Sequence, residues 1–424
     1  MRARHLIRIR SLRQRETEGV LSLECCNQAV TFGIDWRCCR WHTEDHMLLT
    51  RDAMAAETLT SSTVAAPTTQ PSFYRPELDA LRFFGFFAIY VFDSLSHDPN
   101  DYARYHLPRL AGDLMAAIAI SGRFGITLLF LLSGYLITSL LLRERWVSGH
   151  ISVRSFYMRR ILRIWPLYFF VLLIAVVWRW AGRLPIPYFV AYVFLVGNWM
   201  TALLGPPPSW ARILWSVSLV QQFYLFWPVV IKRFSRNGRV YFALGLVVLA
   251  NIARYYLAVG SLHPYSVFPN TFAEFDSIAV GALCAIALKG SVPVLSTGKR
   301  LLLVYVGFIL LLGCGYFGRT ESPMFVIVGY PVATTGCLAL FLAICGLSFA
   351  WRPLVYLGRI SYGLYAYHVL ALILVGWALG GKAGTPVRFL AYWFGSLILT
   401  IALATVSYRW LELPFLRLKE RMPP

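Results

Sequence analysis

Residues 125–142 read GITLLFLLSGYLITSLLL, eighteen consecutive residues without a charge. A helix of that length with no polar face cannot lie on the surface of a soluble protein, and it matches the thickness of a bilayer core. Arg143, Glu144 and Arg145 follow at once and end the run. Working outward, apolar runs recur along the chain, at approximately 80–97, 115–142, 161–181, 188–206, 213–231, 240–260, 270–288, 300–318, 324–349, 357–379 and 389–411. Composition agrees. The 424 residues are 58% hydrophobic and 14% charged, against about 25% charged in soluble domains. Aromatic residues make up 16% of the chain, which suits interfacial belts and bundle packing. Inside a bilayer every backbone polar group needs a partner within the protein, so uncharged runs of this length form helices. The expected fold is an all-α integral membrane bundle. Disordered, collagen-like, coiled-coil and disulfide-scaffold classes are excluded.

Charge sets the number of crossings. The chain carries 40 basic and 20 acidic residues. In a soluble protein such an excess would suggest nucleic acid. Here the basic residues cluster in short loops between apolar runs, where they set topology and meet anionic lipid headgroups, and no nucleic-acid partner is expected. The clusters lie at 143–163, 232–239, 289–300, 352–359 and the C-terminus. If all eleven runs crossed, 232–239 would face away from 143–163. If 188–206 is re-entrant or interfacial, all five clusters share one side. That run contains Gly197 and Asn198 and ends in Gly205-Pro206-Pro207-Pro208. Ten transmembrane helices with both termini cytoplasmic are therefore expected. A multi-pass inner or plasma membrane protein follows.

Residues 1–72 differ in character from the membrane domain at 73–420. They open with Arg2, Arg4, Arg8, Arg10, Arg13 and Arg15, hold no signal-peptide core, and end in a Ser/Thr/Ala/Pro-rich linker. The segment reads as a disordered or untranslated leader, with Met47 and Met54 as later starts. Cys25, Cys26, Cys38 and Cys39 precede His42 and His46, but two adjacent pairs are not a metal-ligand spacing, and no metal site is expected. Cys284, Cys314, Cys337 and Cys345 fall in apolar runs and read as small packing residues.

Ionisable and polar groups within spans are costly and mark function by default. Arg82, Phe86, Ile89 and Asp93 share a helical face of the first span. Eleven residues separate Arg82 from Asp93, roughly 16 Å at the helical rise, so the two cannot pair. Asp93 lies toward the outer side, where a buried carboxylate suits general-base chemistry. The alternative is a wet outer vestibule in which Asp93 faces His97 or Arg123. Ser133-Gly134 in the second run either contacts a ligand or allows close helix approach. Arg160 and Arg163 are i, i+3 on one face, and guanidinium forks suit phosphates. A topology-setting role is the alternative. Gln221, Gln222, Asp276, Tyr362, Tyr365 and His368 complete the polar set, His368 reading as a satisfied core or interface residue. No Walker loop, GxGxxG, HExxH, GxSxG or CxxC pair occurs, so nucleotide or metal hydrolysis has no support.

Six ordered stretches carry a resemblance. YRPELDALR, FGITLLFLLSGYLITSLLLRE, SFYMRRILRIWPLYFF, LWSVSLVQQFYLFWP, GRISYGLYAYH and RWLELPF together resemble the acyltransferase 3 family of integral-membrane O-acyltransferases. The resemblance implies a ten-helix bundle that takes an acyl group, acetyl in the simplest case, from cytoplasmic acyl-CoA. The group passes to a hydroxyl of a carbohydrate or glycoconjugate acceptor at the cell surface, in a bacterial envelope. It implies that Arg82 is the first-span catalytic Arg, that Arg160 and Arg163 handle acyl-CoA, and that Ser133 belongs to the same cofactor region. The chain departs from the family pattern at three positions. The first-span His is Asp93, the Glu of WSxSxEEQFY is Val220, and an acidic residue common in the second motif is Thr127. The resemblance thus implies an acyltransferase with Asp93 as substitute base. A catalytically silent member that binds acyl-CoA or glycan, and a transporter using Asp93 and the mid-span amides, are the competing readings.

Overall fold

A computed structural model describes residues 74–177, 184–260, 266–318, 322–348, 351–381 and 385–420. The leader at 1–72, with its cysteines and histidines, lies outside the described residues. Among the described residues regular structure is entirely helical. In chain order the helices are α1 (Pro76–Ser94), α2 (Arg109–Ser121), α3 (Gly125–Ser148), α4 (Val153–Val177), α5 (Ile186–Val193), α6 (Gly197–Leu204), α7 (Leu214–Arg233), α8 (Arg236–Val259), α9 (Thr271–Leu288), α10 (Thr297–Phe317), α11 (Tyr330–Ile344), α12 (Arg352–Arg359), α13 (Ser361–Ala378), α14 (Pro386–Ser407) and α15 (Leu413–Glu420).

Local sequence starts these helices where the caps lie. Pro76 and Pro386 occupy first helical turns, where a missing N–H costs nothing. The Asn270 side chain accepts from the amides of Phe272 and Ala273, and Thr385 accepts from Arg388. Pro166 and Pro228 sit inside α4 and α7, which membrane helices tolerate when neighbours satisfy the freed carbonyls.

Nine helical stretches among the described residues are long and apolar enough to cross a bilayer. The protein is therefore a multi-pass membrane protein. The tenth expected crossing is α1. It has 19 residues but carries Glu77, Asp79, Arg82 and Asp93, a polar load met by the Gly346 amide on Glu77, by the Asp79–Arg82 pair, and by Arg212 and His368 on Asp93. The second span runs continuously over Arg109–Ser148, 40 residues, because α2 and α3 join through a tight turn at Gly122–Phe124. It is longer than its apolar run suggested.

The segment 188–206 does not cross. It forms α5 and α6, each of eight residues and so only about 12 Å long. The Gln222 amide group, mid-way along α7, donates to the Leu195 carbonyl (3.0 Å) and to Asn198 Oδ1 (2.8 Å), and it accepts from Thr271 Oγ1 (2.6 Å). Asn198 Nδ2 donates to the Pro269 carbonyl and to Thr271. The amides that were expensive in lipid thus fasten a re-entrant pair of short helices to α7 and α9.

The basic clusters meet at one end of the bundle. Arg145 donates to the Ile231 carbonyl, Arg159 pairs with Glu144, Arg300 binds the Ala343 and Cys345 carbonyls, and Arg75 binds the Gly290 carbonyl. Each contact caps orphan helix-end carbonyls or joins two basic loops. We call this the basic end. Outward faces are apolar: only 17% of the α10 window is buried, and Leu301, Tyr305 and Phe308 are exposed. Such residues face lipid rather than a core.

The centre is built on close approach. A Cβ at Gly134 would fall on the Ile278 carbonyl oxygen, and one at Gly281 on the Leu131 carbonyl oxygen. The two glycines let α3 and α9 cross backbone to backbone, so Gly134 of the Ser-Gly pair serves packing. Nearby, Arg254 of α8 makes a two-pronged pair with Asp276 of α9 (2.8 and 2.7 Å), and Thr334 of α11 donates to the same carboxylate. The pair is 1% and 3% exposed. Cys314, Cys337 and Cys345 are buried packing residues, as expected, and Cys284 is half-buried.

Truncating Arg254 to Ala leaves Asp276 buried without its counter-ion. The expected loss is about 3–5 kcal/mol, read as a lowered melting temperature in detergent. Arg254→Met with Asp276→Leu is expected to recover most of it.

Candidate active site

A cavity of about 180 Å³ lies between α1, α3, α4, α7 and α13. Its wall includes Arg82, Ser133, Arg160 and Arg163 together with Val220. Four of the five residues expected to carry chemistry thus share one surface. On α3 the lining runs from Ile126 to Ile137, which is roughly 16 Å of helix. The cavity is therefore elongated along the bundle.

The helical positions explain the convergence. Arg160 and Arg163 are one turn apart on α4, and Ile164 follows on the same wall. Arg82 stands one turn beyond Asp79, to which it is paired. The Arg160 guanidinium lies over the rings of Phe156 (5.5 Å) and Tyr224 (5.9 Å), while its Nε has no hydrogen-bond partner. Arg163 has no hydrogen bond or ion pair among the described residues. Asp79 and Glu412 are close enough to act on its charge, and neither belongs to the cavity wall. Burying a guanidinium without an anion is expensive, and an anion held against this wall would offset that cost. The lining also contains Tyr224, Tyr362, Ser216 and Tyr365 as hydroxyl groups.

Asp93 is not on that wall. It sits in the last turn of α1, where His368 Nε2 lies 3.0 Å from Oδ2 and Arg212 Nη2 donates to Oδ1 at 3.1 Å. The alternative partners considered from sequence are engaged elsewhere. His97 binds the Phe92 carbonyl, and Arg123 donates to Tyr330. Asp93 is 15% exposed and Arg212 43%, whereas His368 is fully buried. The two sites touch through α13. Tyr365, on the cavity wall, hydrogen-bonds Ser216 (2.8 Å) and donates to the Ile213 carbonyl (3.0 Å). Its own carbonyl lies 2.7 Å from His368 Nδ1. Asp93, Arg212, Ile213, Tyr365 and His368 thereby close a ring at the far end of the cavity.

Sequence reasoning missed Arg212 and the pairing of His368. Arg212 stood out only as a basic residue just before a span, opposite the basic end. His368 was visible in SYGLYAYH, but its partner is 275 residues away, and no local pattern reports such a contact.

Comparison with known proteins agrees with the motifs. The acyltransferase domain of the acyltransferase 3 family matches residues 75–409. The chain belongs to that family. It is 28% identical over 333 residues to "Putative peptidoglycan O-acetyltransferase YrhL" of Bacillus subtilis, covering 70% of this chain and 51% of that protein. It is 26% identical over 366 residues to "Peptidoglycan O-acetyltransferase OatA" of Listeria monocytogenes, covering 74% of this chain and 56% of that protein. The chain spans about half the length of these relatives. No solved structure matches.

Three guanidinium groups on one wall should hold a polyanion. Inorganic pyrophosphate is expected to raise the melting temperature of the native protein by a few degrees. The rise should vanish in Arg160→Ala/Arg163→Ala, checked by thermal melts across a pyrophosphate titration.

Proposed function

We propose that the protein is a bacterial plasma-membrane O-acyltransferase. It moves an acyl group, acetyl in the simplest case, from acyl-CoA at the basic, cytoplasmic end to a hydroxyl of a surface carbohydrate or glycoconjugate at the opposite end. The observation that carries this reading is the elongated cavity, with Arg82, Arg160 and Arg163 on its wall and its far wall hydrogen-bonded to the Asp93 ring.

In this reading the guanidinium groups hold the CoA phosphates, since planar forks match phosphate oxygens. Ser133 lines the path of the slender pantetheine arm, and the arm carries the thioester past Ser216 and Tyr365. The roughly 16 Å that separate Arg82 from Asp93 along α1 are of the order of an extended pantetheine arm. Asp93, the partly exposed member of its pair, takes the proton of the acceptor hydroxyl. The oxygen attacks the acyl carbon, the carbon–sulfur bond breaks, and CoA leaves as a thiol. Arg212 holds the carboxylate in place and keeps its charge balanced. The relatives named for peptidoglycan O-acetylation support a glycan acceptor of that class. Lipid surrounds the bundle, and basic loops would meet its anionic headgroups.

The test is CoA release from acetyl-CoA by the full chain in nanodiscs, with and without a cell-wall glycan extract. Asp93→Asn is expected to lower acceptor-dependent kcat by about 10²-fold or more, the usual contribution of a general base. Arg163→Ala is expected to weaken acetyl-CoA binding about tenfold or more, since one charge-assisted hydrogen bond contributes about 1.5–3 kcal/mol. Unchanged transfer by Asp93→Asn would rule out the base.

A further inference from the structure

The hydrogen bonds of His368 fix how many protons the Asp93 centre holds. A backbone carbonyl can only accept, so the 2.7 Å contact with Tyr365 requires a proton on Nδ1. That leaves Nε2 facing Asp93 Oδ2 at 3.0 Å. Without a further proton, a lone pair of the ring opposes a lone pair of the carboxylate. With one, the two atoms share it in a charge-assisted hydrogen bond. The 3.0 Å contact is that of the pair holding one shared proton, so the same two atoms, emptied, form a receptor for a single proton. Arg212 on the other carboxylate oxygen holds Asp93 in register. The Phe86 ring meets the His368 ring edge to face at 5.9 Å and fixes its plane. Besides His368 and Arg212, the titratable groups facing Asp93 are Tyr365 of α13 and Tyr392 of α14.

We propose that Asp93 and His368 act as one two-atom base, in which Asp93 meets the acceptor hydroxyl and the buried His368 behind it takes up the proton. This rests on the acyltransferase reading above and adds a positioning residue to it. The order inverts the usual hydrolytic arrangement, in which the imidazole stands in front and the carboxylate behind. Exposure dictates the inversion: Asp93 is 15% exposed and His368 is fully buried. In the step, the acceptor O–H bond breaks and its proton passes to the carboxylate, then lies between Oδ2 and Nε2. The freed oxygen forms the ester bond to the acyl carbon. The carbon–sulfur bond breaks, and its electron pair leaves on the CoA sulfur. The stored proton then converts that thiolate to the thiol, returning the centre to its starting state.

The experiment uses the full chain in nanodiscs, acetyl-CoA, and an N-acetylglucosamine tetramer as acceptor, with CoA thiol as readout. His368→Gln and His368→Asn are expected to lower kcat about 100-fold with the acetyl-CoA KM within about twofold. The acid limb of the pH–rate profile should move in both variants. Melting temperatures near the native value would exclude simple unfolding. The exchange Asp93→His with His368→Asp should recover at least about tenfold over either single variant, because it rebuilds the carboxylate–imidazole pair. Native kcat and an unmoved pH profile in His368→Gln, with Asp93→Asn inactive, would overturn the two-atom base and leave Asp93 acting alone. Native transfer by Asp93→Asn would overturn the acyltransferase reading's base and this inference with it.

Discussion

A charge inside a bilayer is tolerated only where something meets it, and the placement of every buried ionisable group in this protein follows from that constraint. Arg254 and Asp276 meet in a two-pronged pair that ties α8 to α9. Asp93 is met twice, by Arg212 and His368, across three separate parts of the chain. The guanidinium groups on the cavity wall are met less fully, as are Arg239, Glu274 and Glu412, each of which has a buried polar atom without a hydrogen-bond partner among the described residues. Arg82 has Asp79, but Arg160 has aromatic faces and an unpartnered Nε, and the cavity wall contains no carboxylate. In the proposed reading a bound anion makes up the shortfall on this wall.

The glycine crossings make that arrangement geometrically possible. With Gly134 and Gly281 bringing α3 and α9 into backbone contact, the Ser133 side of α3 turns toward α4 and α7 and forms the cavity wall. Two consecutive residues of one motif therefore do different work. Gly134 sets the helix spacing, and Ser133 lines the space that the spacing leaves. Gln221 and Gln222 divide in a similar way: Gln222 fastens the re-entrant segment, while Gln221 Nε2 stays without a partner among the described residues.

The helical architecture was legible because hydrophobic run length and loop charge are local properties. The re-entrant segment was legible for the same reason: only its removal brings five basic loops to one side, and Arg145 joins the first of them to the end of α7 that carries the second. Motif order grouped Ser133, Arg160 and Arg163, which share one wall; Arg82, expected to act catalytically with Asp93, lies on that same wall and apart from Asp93. What sequence could not give was pairing between distant helices. Asp93 was visible as a costly residue, yet His97 and Arg123 were nearer in sequence than the partners it has. Periodicity reports which face a residue occupies; it does not report which helix that face meets.

The altered positions become intelligible when charge is counted across the whole site. Val220 lines the cavity beside the guanidinium groups, where the resemblance leads one to expect a Glu; a valine there offers no counter-ion, which in the proposed reading leaves the arginine charge for a polyanion. Thr127 is buried one residue from the lining Ile126 and likewise adds no negative charge. The acidic function is instead concentrated on Asp93, at the far end, where Arg212 and His368 balance it. In the proposed reading, positive charge at one end and a carboxylate–imidazole pair at the other separate the two demands of acyl transfer. The binding of a polyanionic donor and the removal of a proton from a neutral acceptor call for opposite electrostatics. Along α1, roughly 16 Å of helix keeps them apart, and the hydrogen-bonded wall of Ser216 and Tyr365 joins them.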